Sequence, residues 1–270
     1  MYVFQDKVAV VTGAGSGIGR ALAELLARKG CKLALADINE TGLADTAARI
    51  GTPVLTRKLD VSDRAAFEAF AKEVEAHYGR ADLIFNNAGV ALLQPVQEMR
   101  YEDLEWLMGI NFWGVIHGTH AFLPSMLARK SGVIVNVSSL YGLIGWPANG
   151  AYCAAKFAVR GYTEVMRQDL RGTGVQVACV HPGGIKTNIV RNARFTSDDL
   201  GRKDKSVLVK DFDRIAITTP EKAAQTIVVG VERGRERILI GPDAKLIDRL
   251  QRWMPESYPA VIRWLERRLR

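Results

Sequence analysis

A chain of 270 residues with 48% hydrophobic and 24% charged residues can bury a sizeable core and has the balance of a folded domain, which excludes a disordered or fibrous class. No apolar stretch approaches the roughly 20 residues that span a bilayer, no signal-peptide pattern precedes the first strand-like run, and Cys31, Cys153 and Cys179 are too few and scattered for a disulfide framework, so a cytoplasmic protein with free thiols is expected. The net charge of +8 would suit acidic partners, but half of it falls in residues 245–270 and no nucleic-acid-binding motif accompanies it, so nucleic acid is not an expected partner.

The first segment, KVAVVT (7–12), reads as a strand and runs through TGAGSGIGR into a helix over 17–30. CKLALAD (31–37) is a second strand ending in Asp37, followed by a helix over 40–50. PVLTRKLD (53–60), a helix over 63–78 and ADLIFNN (81–87) continue the alternation. A helical stretch over 100–130 leads to GVIVNVSS (132–139), and a helix over 150–172 to GVQVACVHP (174–182). A helix over 219–233 and ERILIG (236–241) close the pattern at seven strands. Such alternation implies an α/β fold with a doubly wound parallel sheet covered on both faces. Beyond it, AKLIDRLQRWM and AVIRWLERRLR read as two helices separated by PESYP, whose prolines force a break. The expected organisation is one domain over 1–241 with a helical extension, 242–270, packed on it.

Gly13, Gly17 and Gly19 differ from the G-x-G-x-x-G spacing but serve the same physics. Glycines let the backbone turn tightly toward a pyrophosphate, and the amides opening the next helix favour its negative charge. Asp37, at the end of the second strand, can accept hydrogen bonds from both adenosine-ribose hydroxyls and would repel a 2'-phosphate. Ser16 and Ile38 offer no positive charge for such a phosphate, so NAD is favoured over NADP. His117 and His120 lie three apart without a supporting carboxylate or cysteine cluster, so no metal is expected.

In AYCAAKFAV (151–159), Tyr152 and Lys156 share one helix face a turn apart, so their tips can converge. Ser139 lies at the carboxyl end of the fifth strand, where open parallel sheets place ligands, and alternation points it away from its neighbour Ser138. Taken in order, Thr12-Gly13-x-x-x-Gly17-x-Gly19, NNAG at 86–89, Asn111, Ser139, Tyr152-x-x-x-Lys156 and PGGIKT at 182–187 resemble the short-chain dehydrogenase/reductase family over residues 5–241. That resemblance implies a single Rossmann-type domain with strand order 3-2-1-4-5-6-7, a nicotinamide cofactor, a homo-oligomeric dimer or tetramer, and Asn111, Ser139, Tyr152 and Lys156 as the catalytic group. The family spacing selects Ser139 over Ser138, and Asn111 would hold a water relaying protons to Lys156. By the same resemblance, Gly13, Ser16, Gly17, Ile18 and Gly19 carry the cofactor phosphates, while Asp60 and Val61 flank the adenine. Asn87, Ala88 and Gly89 line the cleft; Pro182, Gly183, Ile185 and Thr187 serve the nicotinamide end, along with Tyr152 and Lys156.

A free phenol has a pKa near about 10, and a cationic Lys156, with the oxidised nicotinamide also positive, is expected to favour the phenolate and fit Tyr152 for proton transfer. Residues 185–213 are expected to form a mobile lid over the substrate. Leu92, Leu93, Leu140, Leu143, Ile144 and Trp146 suggest an apolar pocket for a hydrophobic alcohol or ketone, lipid-, steroid- or retinoid-like. An NAD-dependent dehydrogenase/reductase of a secondary alcohol or ketone is the leading reading. The alternatives are an NADPH-dependent 3-oxoacyl-thioester reductase and a non-catalytic nucleotide-sensing or scaffold protein. In the tail, Val261, Trp264, Leu265 and Leu269 share a face away from Arg263, Arg267 and Arg270, a pattern read as packing or a subunit interface ahead of peripheral membrane contact.

Overall fold

The computed structural model describes residues 2–198 and 200–262. Seven strands form one parallel sheet: β1 (Val8–Thr12), β2 (Lys32–Asp37), β3 (Leu55–Lys58), β4 (Leu83–Asn86), β6 (Gly132–Val137), β7 (Val175–Pro182) and β9 (Arg237–Ile240). Their spatial order is β3-β2-β1-β4-β6-β7-β9, the order expected for the seven sequence-predicted strands. Two strands were not foreseen. β5 (Leu92–Leu93) and β8 (Arg194–Phe195) pair in parallel outside the main sheet.

The helices are α1 (Gly17–Arg28), α2 (Glu40–Ile50), α3 (Arg64–Tyr78), α4 (Tyr101–Met108), α5 (Gly114–Ala128), α6 (Gly150–Asp169), α7 (Lys205–Ile215), α8 (Pro220–Glu232) and α9 (Pro242–Trp253). Local chemistry sets their ends. The side chains of Asn39, Asp63, Asp204 and Thr219 accept backbone amides at the starts of α2, α3, α7 and α8. Gly51 and Gly79 end α2 and α3 in the left-handed conformation, with φ of 72° and 77°.

Strand alternation sorts the core into two layers. Ala9 and Val11 of β1, Leu33 and Leu35 of β2, and Leu83 and Phe85 of β4 pack with Leu22 and Leu26 of α1 and with Ile227 and Val231 of α8. Val8, Val10, Ala34, Ala36 and Ile84 face the other way, toward Phe67 and Phe70 of α3, Phe122 and Met126 of α5, and Met166 of α6. The sheet is therefore covered on both faces.

Two expectations need correction. The helix expected over 100–130 is broken by a π-helical turn, Gly109–Trp113, between α4 and α5. Residues 185–213, expected as a lid loop, are not all loop: they contain β8 and most of α7. Arg194 ties this segment to Asp103 of α4 at 2.8 Å, while Arg202–Asp198 and Arg191–Asp213, each at 2.5 Å, are ion pairs within it. Asp103 of α4 and Asp198 of this segment are both buried, and their arginine partners hold them in place. The first tail helix is α9, and a helical turn begins at 258–262; Arg263, Trp264, Leu265, Arg267, Leu269 and Arg270 lie outside the described residues. No helix among the described residues is long and apolar enough to cross a membrane.

Candidate active site

The strand order reverses direction between β1 and β4, and the crevice beyond their carboxyl ends is where open α/β sheets bind ligands. The glycine loop lies at this crevice. Gly13 and Gly17 adopt φ of 66° and 52°, and a Cβ on Gly19 would lie 2.0 Å from the Gly13 carbonyl oxygen, so the turn admits no side chain there. Ser16 is exposed and stands at the start of α1, while Ile18 is partly buried against the core. These are the features of a phosphate cradle: a tight backbone loop leading into exposed helix-opening amides.

The loop is bolted to its neighbours by polar contacts. Asp37 accepts from Gly15 N at 2.8 Å with one oxygen and from Asn39 N at 2.9 Å with the other. The Thr12 hydroxyl accepts from Asn87 N and Ala88 N, each at 3.0 Å, while Asn87 Nδ2 donates to Thr12 O at 2.9 Å. Asn86 instead turns into the core, where its Nδ2 donates to Asn136 Oδ1 at 2.8 Å. The NNAG motif thus divides its work: Asn86 joins strands, and Asn87 and Ala88 fix the cleft wall. Asp60 is exposed and accepts from Ser62, whereas Val61 is buried against Gly114.

Across the crevice, Ser138 and Ser139 separate as alternation requires. The Ser138 hydroxyl donates to Lys156 O at 2.7 Å and so docks α6 on β6. Ser139 Oγ accepts from Tyr141 N at 3.1 Å and interacts with the Tyr152 phenol. Deeper in, Asn136 Nδ2 donates to Thr163 Oγ1 at 3.1 Å, a second buried tie between β6 and α6. Together these bonds register the helix so that Tyr152 and Lys156 face the crevice side by side. Lys156 Nζ donates to Val137 O at 3.0 Å and lies 5.8 Å from the Tyr152 ring centroid.

Burial dominates the titration of this pair. It pushes the Tyr152 phenol up to about 12, against the hydrogen bond from Ser139, and brings the Lys156 ammonium down to about 8. Desolvation disfavours the charged form of both groups in the cofactor-free chain. Asn111 is fully buried in the π turn, and its amide is committed to Val90, accepting from Val90 N and donating to Val90 O at 2.8 Å each. A Cβ on Gly89 would stand 3.2 Å from Asn111 Oδ1 and 3.5 Å from Lys156 Nζ, which places Gly89, Asn111 and Lys156 together.

At the end of β7, Pro182 is buried, Gly183 N donates to Ile240 O at 2.9 Å, and Ile185 is buried beside Thr218. A Cβ on Gly17 would lie 3.0 Å from the Thr187 methyl, so Thr187 reaches across to the glycine loop. Of the expected pocket residues, Leu92, Leu143 and Ile144 are core, at 1% exposure or less. Leu140 and Leu143 pack against Ala244 of α9. Leu93, by contrast, joins Tyr152, Ile189, Phe195 and Leu208, an apolar wall of strand, helix and lid residues around the phenol. Trp146 is partly exposed and stacks on Tyr141.

The model for the short chain dehydrogenase family matches residues 7–198. The chain belongs to the short-chain dehydrogenase/reductase family. It is an oxidoreductase of that family by its relatives as well. It is 47% identical over 268 residues to SadH, named as an oxidoreductase, from Mycobacterium tuberculosis, covering 97% of this chain and 96% of that protein. It is 34% identical to the C alpha-dehydrogenase of a Sphingobium strain, over 90% of this chain and 83% of the other. A short-chain dehydrogenase/reductase from Burkholderia phymatum, solved in complex with NAD, superposes with a TM-score of 0.86 at 33% identity, covering 95% and 96% of the two chains.

Within this family frame, two residues escaped the sequence reading. Asp243, in the first turn of α9, accepts from Gly184 N at 2.6 Å and so fastens the Pro182-Gly183-Gly184 loop from outside the family match. His181 is buried, and its Nδ1–H donates to Ser139 O at 3.1 Å. Both contacts are long-range, and only the position of His181 beside Pro182 could have drawn notice. His117, from which no metal site was expected, bonds Val61 O at 3.0 Å and stacks on Trp113. All three cysteines are free, with Cys31 partly buried and Cys153 and Cys179 buried.

Proposed function

We propose that this oxidoreductase is NAD-dependent and transfers hydride between nicotinamide and a secondary alcohol or ketone with an apolar body. The observation that carries the reading is the convergence of Ser139, Tyr152 and Lys156 beside the glycine loop, with Leu93, Ile189 and Phe195 around the phenol. NAD, when bound, accepts the hydride that leaves the carbinol carbon. Ser139 Oγ orients the substrate oxygen, and Tyr152 Oη takes the hydroxyl proton as the O–H electron pair becomes the second C–O bond. Reduction reverses both transfers. Lys156, still largely protonated at neutral pH with its pKa near about 8, supplies positive charge beside the phenolate as it forms.

The preference for NAD over NADP rests on the carboxylate of Asp37 at the end of β2. The cations near it are already engaged. Lys58, opposite Asp37 in the strand register, pairs with Glu40 at 2.9 Å, and Arg20 pairs with Asp45 at 2.7 Å while donating to Gly15 O at 2.6 Å. A 2'-phosphate would meet a carboxylate with no uncommitted cation supplied by these two residues. The test is a panel of secondary alcohols and hydroxysteroids assayed with NAD and with NADP in parallel. Reduced-cofactor formation with NAD at a higher kcat/KM is expected; a preference for NADP, or no turnover alongside tight NAD binding, overturns the reading.

A further inference from the structure

The loop between Ser139 and Asn149 carries one wall of the crevice. Tyr141 stacks on Trp146, with centroids 5.8 Å apart and planes 14° from parallel, and meets Tyr152 edge-on at 6.1 Å and 90°. These aromatic faces stand directly beside the proposed proton-transfer group. The root of the loop is secured by Leu140 and Leu143, packed on Ala244, and by the Cys153 thiol near Ile144 O at 3.7 Å. Its crown is different: Gly145 and Pro147 are exposed, and Trp146 is only partly covered. Asn149 donates to Trp146 O at 3.2 Å and to Pro147 O at 2.8 Å, Gln94 N donates to Ala148 O at 2.8 Å, and the tail reaches Gly145. Gly145 N donates to the hydroxyl of Tyr258 at 3.1 Å, across 113 residues of sequence. Tyr258 belongs to the segment after α9, beyond the part of the chain that the family model matches.

We propose that Tyr258 is a positioning residue for substrate recognition: its hydroxyl holds Gly145 and thereby sets the Tyr141–Trp146 aromatic pair as a flat wall for bulky, planar apolar substrates. The extension grips the same loop twice, by Ala244 at the root and by Tyr258 at the crown. The Asn149 and Gln94 bonds hold the far side of the crown, whereas the exposed Gly145, on the near side of Trp146, lacks a side chain to restrict its backbone. Tyr258 supplies the missing restraint through one acceptor atom. A small alcohol, which reaches Tyr152 without touching Trp146, is indifferent to this restraint. An aromatic alcohol depends on it. The inference rests on the dehydrogenase reading above and refines which substrates it favours.

The test compares the full-length protein with Tyr258→Phe, using 1-phenyl-1-propanol and 2-butanol as substrates with NAD. The expected result is a KM for the aromatic alcohol raised roughly 2- to 10-fold, the weight of one hydrogen bond, with kcat, the KM for 2-butanol and the NAD Kd unchanged. Hydrogen exchange should quicken in a peptide spanning residues 143–148. In a Trp146→Ala background, Tyr258→Phe should have no further effect on KM. Unchanged exchange, or an equal change in KM for both alcohols, overturns the inference alone. Failure of the wild-type protein to oxidise any secondary alcohol overturns the dehydrogenase reading and takes this inference with it.

Discussion

Lys156 Nζ lies 5.8 Å from the Tyr152 ring centroid while donating to the main-chain oxygen of Val137 at 3.0 Å. The ammonium is thus held by β6, not by the phenol, and both side chains can act on a third group between them. Replacing Tyr152 by Phe removes the proton carrier without altering the ring, so kcat should fall at least on the order of 10²- to 10⁴-fold while the NAD Kd stays nearly constant. Lys156→Ala should lower kcat and also weaken NAD binding. Initial rates of NADH formation and fluorescence titration of the cofactor separate the two outcomes.

Asp37 has two tasks, one toward the proposed ribose and one toward Gly15 N. Asp37→Asn keeps an acceptor for that amide but removes the charge. The variant should lose roughly tenfold or more in kcat/KM with NAD and less with NADP, narrowing the cofactor preference. Parallel assays with both cofactors measure the ratio, and a wider preference for NAD would contradict the assigned role.

The sheet was legible because β1, β4 and β6 carry near-continuous apolar runs, and because Gly13, Tyr152 and Lys156 sit in local patterns with a periodicity to read. What was hidden is long-range. β5 and β8 have two residues each and no periodicity, and they exist because Leu92 and Leu93 find Arg194 and Phe195 across the fold. The anchoring of the lid segment was hidden as well, since nothing local tells that Arg194 reaches Asp103. The burial that raises the Tyr152 phenol was hidden for a related cause: it is a tertiary property that the helical spacing of Tyr152 and Lys156 does not carry.

His181 gives the protein a weakness in acid. Burial pulls its pKa from 6.5 down to about 4, so between these values the unfolded chain takes up a proton that the native imidazole refuses. Stability therefore falls as pH drops from 6.5 toward 4, with about 3 kcal/mol attributable to this one group. His181→Asn can still donate to Ser139 O but cannot titrate. Denaturant unfolding at a series of pH values should show a shallower acid slope in the variant, and parallel slopes would rule out His181 as the source.

The Arg194 guanidinium pairs with Asp103 at 2.8 Å and stacks 3.8 Å above the Trp106 ring. Burial pushes Asp103 up, but hydrogen bonds from Arg100, Gln94 and Arg194 outweigh it and hold the carboxyl below its ordinary range. Arg194→Ala should cost about 1 to 3 kcal/mol and loosen β8 against β5, raising KM for substrate more than it lowers kcat. Arg194→Lys restores the charge but not the planar stacking, so recovery should be partial. Thermal unfolding and steady-state kinetics together check both effects.

The π turn over Gly109–Trp113 amounts to one surplus residue wound into a helix. Each residue of an α-helix advances the azimuth by about 100°, so this insertion decouples the face that α4 shows to α6 from the face that α5 shows to α3. Excising a single residue here would leave both helices intact as secondary structure yet misdirect one of them. The carboxamide of Asn111 would then swing off Val90, and the cleft floor would lose its peg.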